Sequence, residues 1–124
     1  MGLASNQARV LLLTARQNDL ELAMTTLSSR QQLLATRQAE LITKKSQAMM
    51  QYVNSQSADT DVAFTETAEY AQYETAMKQL EMADTNLTLQ LSAMETEHKA
   101  IVAELEEDKK LVQNNIKNTF AILK

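Results

Sequence analysis

Five leucines, Leu13, Leu20, Leu27, Leu34 and Leu41, recur at seven-residue steps, and Ala48 continues the column. A strict seven-residue apolar repeat marks a helix that lies along another helix, because slight underwinding keeps one stripe facing the partner. The rest of the chain is consistent with long helices. It has no proline, and Gly2 is its only glycine. Those two residues make most tight turns, so a chain without them reverses rarely. Ala, Leu, Gln, Glu, Met and Lys are abundant, and all are good helix formers. A length of 124 residues suits one domain. The expected class is all-α.

Helix boundaries follow from the polar residues. Ser5 or Asn6 can cap a first helix by accepting a bond from the free N–H groups of its opening turn. No breaker follows until Asn54, so a helix over 5–54 would be about 75 Å long. The segment from Asn54 to Asp61 is small and polar, and its side chains compete for backbone hydrogen bonds. We expect the turn at 55–61, with Asp59 or Asp61 capping a second helix over 62–122. The seam of that helix alternates three and four residues through Tyr73, Met77, Leu80, Asp84, Leu87, Leu91, Met94, His98, Ile101 and Leu105. Asp108 then falls where an apolar residue is due. The apolar positions resume as Val112, Ile116, Phe120 and Leu123, which reads as a shift of phase.

Two helices of similar length joined by a short polar turn should fold back as one antiparallel hairpin domain, 1–124. Charge supports the pairing. Residues 1–55 carry six basic and three acidic side chains, and residues 56–124 carry six basic and thirteen acidic ones. A cation column of Arg9, Arg16, Arg30, Arg37 and Lys44, broken only by Ala23, flanks the leucines. In a hairpin whose facing positions sum to about 116–118, Arg30 and Arg37 come within reach of Glu81 and Asp84. Arg16 comes near Glu97 and Glu104. A channel lining or docking strip is the other use of that column.

One seam leaves apolar residues over. Leu11 and Leu22 lie nearly opposite the ladder, and Leu12, Leu33, Ile42, Leu89 and Ile122 also fall off it. Two helices alone bury little core, so such residues imply further packing against copies or another protein. Leu3, Val10 and the run Ile116–Leu123 would meet at the open end as an apolar patch suited to a repeating contact. Seven methionines, among them Met49, Met50, Met77, Met82 and Met94, add adaptable surface.

Much chemistry is missing from the pattern. There is no cysteine, and the acidic second half does not suit nucleic acid. The longest apolar run, Val10–Leu13, is far short of a membrane span or a secretory core. The opening Met-Gly lacks the Ser or Thr at position 6 that N-myristoylation wants. His98, beside Glu95 and Glu97, is a seam residue hydrogen-bonded across the pair, with metal binding or pH switching as the sharper alternative. Glu104, Glu106, Glu107 and Asp108 scatter around a helix and form no calcium loop. The sequon at Asn86 lies inside a heptad helix. No cofactor, no nucleophile with a base and no cleft is expected, and so no enzyme.

The layout resembles exported filament subunits over the whole chain: the terminal helices of flagellin, type III secretion needle proteins and EspA-type sheaths. The resemblance implies paired termini in a filament core and export without a cleaved signal peptide. The needle family's Pro-containing turn has no counterpart here. The opening MGLASNQARVLLLTARQNDLE also resembles the start of many small uncharacterised bacterial proteins, over the first fifth of the chain. The expectation is a self-assembling structural subunit at or outside the cell surface, a homo-oligomer with an export chaperone as a second partner. The competing expectation is a cytoplasmic coiled-coil adaptor or export chaperone. A small secreted hairpin of the ESX type would carry a Trp-x-Gly turn, and this chain has no Trp.

Overall fold

The computed structural model describes residues 2–55 and 62–123, without the side chain of Leu123. It is an all-α helical hairpin. Helix α1 spans Leu3–Ser55, a 3₁₀ turn spans Phe64–Glu66, and helix α2 spans Ala68–Leu123. Packing divides into two compact units, one built from 1–27 and 90–124 and the other from 28–89.

The start of α1 differs from expectation. Neither Ser5 nor Asn6 caps it: the Asn6 amide already donates to the Gly2 carbonyl at 3.2 Å. The helix begins two residues earlier, at Leu3, and the Asn6 side chain turns into the seam, 3% exposed. At the other end, Asn54 and Ser55 still belong to α1. The positions expected to form most of the turn, and the caps Asp59 and Asp61, lie outside the described residues.

Helix α2 starts at Ala68, not at 62. Thr67 is its cap. The Tyr70 amide donates to Thr67 Oγ1 at 3.2 Å, and the hydroxyl itself donates to the Phe64 carbonyl at 2.6 Å. Its own carbonyl accepts the first helical bond, from Ala71. One side chain thus closes the 3₁₀ turn and opens the helix, which satisfies a donor the first turn would leave free.

In the first unit the core is Leu13, Ile101 and Leu105, with Val10 and Leu20 packed against it. Leu27 is also buried. In the second unit Ala48 and Phe64 are buried, and Leu34, Leu41, Tyr73, Met77, Leu80 and Leu87 are half-buried. Leu91 and Met94 of the first unit are half-buried as well. Every residue expected on the intrachain seam is therefore at least partly covered.

The burial pattern extends the seam in a way apolar periodicity could not. On α1 the covered positions alternate three and four throughout: beside the ladder stand Val10, Gln17, Met24, Gln31, Gln38, Lys45 and Tyr52. Gln17, Gln31, Gln38 and Lys45 make most of this second column polar. Two of these residues bond across the pair: Gln31 Nε2 donates to Thr88 Oγ1 at 3.0 Å, and Lys45 Nζ donates to Glu74. On α2 the expected shift of phase after Leu105 does not occur. Asp108, Val112 and Asn115 continue the same alternation, and Asp108 is 7% exposed. A charged residue holds an in-phase position because a cation from α1 reaches it.

Candidate assembly surface

The candidate surface lies on the first unit, and the polar lock beneath it positions it. Arg9 Nε donates to Asp108 Oδ2 at 3.0 Å, and its other arm pairs with Glu104. One guanidinium thus satisfies the buried carboxylate and a second, half-exposed one, the forked geometry that Arg supplies and Lys does not. Seven residues on, Arg16 pairs with Glu97, with Nε 2.9 Å from Oε1. His98 Nε2 donates to Glu21 Oε1 at 3.0 Å, the cross-helix partner expected of a seam histidine.

Other expected ion pairs do not form. Glu104 belongs to Arg9, not to Arg16. Among the described residues no ion pair joins Arg30 or Arg37 to Glu81 or Asp84. For Arg37 the reason is local: the groove it lines with Lys44 has Ala76 and Ala83 on its α2 side, and the carboxylate in that groove is Glu40 of α1 itself. Asp84 sits half-buried in the seam itself, and Glu81 is exposed.

With the seam closed, the leftover residues fall where the heptad puts them. Leu11, Leu12 and Leu22 are 72%, 70% and 69% exposed. Leu33, Ile42, Leu89, Phe120 and Ile122 are exposed too, and Ile116 only marginally so. Two residues assigned to the outer patch belong elsewhere. Val10 packs on the Leu13 cluster, and Leu3 is half-buried, because both are in phase with the seam. The Leu123 side chain lies outside what is described.

The two flanks of this unit differ in chemistry. One carries a shallow trough of about 450 Å³ lined by Gln7, Val10, Leu11, Lys109, Val112 and Gln113. The other carries an open recess lined by Asn6, Arg9, Glu104, Glu107, Asp108, Leu111 and Asn115. The first is apolar with a single cation at its edge, and the second is charged. A small apolar hollow between Leu3, Ile116 and Phe120 lies beyond the trough.

The second unit is organised by an aromatic cluster that periodicity did not reveal. Phe64 lies 5.5 Å from the Tyr52 ring and 5.7 Å from the Tyr70 ring, edge-on to the latter. The Tyr52 hydroxyl donates to the Val62 carbonyl at 2.6 Å. Lys45 Nζ stands 4.6 Å from the Tyr70 ring centre and donates to Glu74. The hydrogen bond from Lys45 holds the Glu74 carboxyl below its usual 4.5, against partial desolvation. The bond to Glu74 raises the Lys45 ammonium above 10.5.

The pair stabilises the fold fully between those two ordinary values. Its contribution is lost as pH falls through the depressed Glu74 value, and again as pH rises through the raised Lys45 value. The thermal midpoint of the parent should therefore exceed that of Glu74→Gln by a constant margin from roughly pH 5.5 to 9.5. The margin should vanish below Glu74's titration. A margin that grows in acid would contradict the pairing.

Among the described residues no group of three His, Cys, Asp or Glu side chains could hold a metal ion. No described helix is long and apolar enough to cross a membrane. No protein-family model matches the chain, and none of the curated proteins or solved structures does.

Proposed function

We propose that this chain is a structural protein, the self-assembling subunit of a bacterial helical filament whose N- and C-terminal helices pair in the core. The observation that carries the reading is the set Leu11, Leu12, Leu22, Phe120 and Ile122. All five are exposed, on the unit that pairs segments 1–27 and 90–124. Exposed apolar side chains cost free energy in water, and a neighbouring copy that covers them removes that cost. The working place of such a fibre is outside the cell or at its surface. The partners are other copies of the chain, with an export chaperone before assembly, and no catalytic step is involved.

Negative-stain microscopy of the pure protein at rising concentration tests this. Filaments are the expected result, and a small oligomer that persists at high concentration removes the reading. Deleting residues 117–124 should abolish the filaments while most helical circular dichroism remains. A second reading, a cytoplasmic coiled-coil adaptor or export chaperone, draws on the exposed Met49, Met50 and Met82 of the other unit, since methionines suit adaptable partner surfaces. It predicts a discrete dimer or tetramer by sedimentation, together with a different protein that co-purifies.

A further inference from the structure

The outward face of α1 in the first unit carries a second alternation of three and four residues. Ala8, Leu12, Ala15, Asp19, Leu22 and Thr26 follow one another at that spacing, and all are exposed. Ala8 and Ala15 flank Leu12, and small side chains beside a leucine let a neighbouring helix approach closely. Thr26 fits it, because its hydroxyl donates to the Leu22 carbonyl at 3.0 Å and so needs no outside partner. Asp19 is the only charge on this ridge.

The trough on the flank of the same unit has the complementary composition. Val10, Leu11 and Val112 form its apolar walls, and Lys109 is its only charge. Among the described residues neither Asp19 nor Lys109 enters an ion pair. Each apolar surface thus carries one unspent charge, and the two are of opposite sign.

Surface area points the same way. The chain exposes 9268 Å², whereas a compact monomer of 13.9 kDa exposes about 6,700 Å². The excess is about three times the roughly 800 Å² that a partner buries in an interface of standard size. More than one contact of that size can be accommodated.

Resting on the self-assembly reading, we propose that the ridge Leu12–Ala15–Asp19–Leu22 of one copy docks into the trough of a second copy, with Asp19 meeting Lys109. Ridge and trough are different surfaces of one chain. Their contact is head-to-tail, so every added copy leaves a fresh ridge and a fresh trough exposed. Such contacts propagate unless the rotation between copies closes a ring.

A charge-swap cycle followed by sedimentation tests the contact. Asp19→Lys alone and Lys109→Glu alone should each raise the concentration needed for assembly about tenfold, because like charges then face one another. The double variant should return it to within about threefold of the parent, which only a direct pairing does. Both sites are exposed, so helical circular dichroism should be unchanged in all three variants. If the parent assembles and the single variants assemble equally well, or the double variant is no better than the singles, this contact is wrong and the assembly reading stands. If the parent stays monomeric, or associates only with a different helical protein, the assembly reading falls and the contact with it.

Discussion

Phe64→Ala should lower the stability of the second unit by about 3 kcal/mol, at the lower end for a buried phenylalanine, because neighbours near the surface can partly close the gap. The ring holds three elements together. Phe64 is 6% exposed and lies between Tyr52 from α1 and Tyr70 from the first turn of α2. Removing it deprives both tyrosines of an aromatic neighbour and loosens the Tyr70 face under Lys45. The Lys45–Glu74 pair then loses its platform. Urea unfolding followed at 222 nm measures the cost. Phe64→Leu should recover about half of it, since it restores volume but not edge-to-face geometry. A loss below about 1 kcal/mol for Phe64→Ala would mean that the cluster does not clamp the helices.

Leu105→Ala should cost about 2–4 kcal/mol in the first unit. At 4% exposure Leu105 is the most covered apolar side chain among the described residues, and it meets Leu13 and Ile101 in the buried cluster of that unit. Ala in its place leaves a void that the flanking heptad layers can only partly fill. Leu11→Ala is the control. Its parent side chain is 72% exposed, so unfolding of the dilute protein should shift by less than about 0.5 kcal/mol. If Leu11→Ala proved as costly as Leu105→Ala, the placement of the seam would be wrong. Because Leu11 also walls the trough, the same control should weaken assembly while leaving the monomer intact.

The two substitutions bear on what could be read from the residues themselves. Leu105 and the ladder were legible because apolar residues at a fixed step leave few alternatives. The leucines off that step were legible as surplus by the same subtraction. Gln17, Gln31 and Gln38 were not, although they share the seam. Apolar periodicity passes over amides, even one such as Gln31 that bonds across the helices. Asp108 misled for a related reason: a carboxylate at an apolar position looks like a change of phase until Arg9 is seen to satisfy it. Phe64 was invisible because it stands outside both repeats, in the 3₁₀ turn. The acidic segment before it offered Asp59 and Asp61 as caps more prominently than Thr67. Arg37 did not meet Asp84 because Asp84 turns into the seam, while the α2 side of the groove beside Arg37 holds Ala76 and Ala83.

The break in the cation column at Ala23 has its own consequence. A sequence that repeats every seven residues can pair with itself one repeat out of step, and the leucine column alone would barely resist. In the native alignment Arg9 serves Glu104 and Asp108, while Arg16 serves Glu97. Sliding α2 by one repeat in one direction hands Glu104 to Arg16 but presents Glu97 to Ala23. Sliding it the other way gives Glu97 to Arg9 and leaves Glu104 opposite Gly2. Either error leaves a carboxylate without its arginine, and the second also takes Arg9 away from the buried Asp108. The absent arginine works as a proofreading mark, since an unbroken column would have made one misalignment nearly as good as the true one.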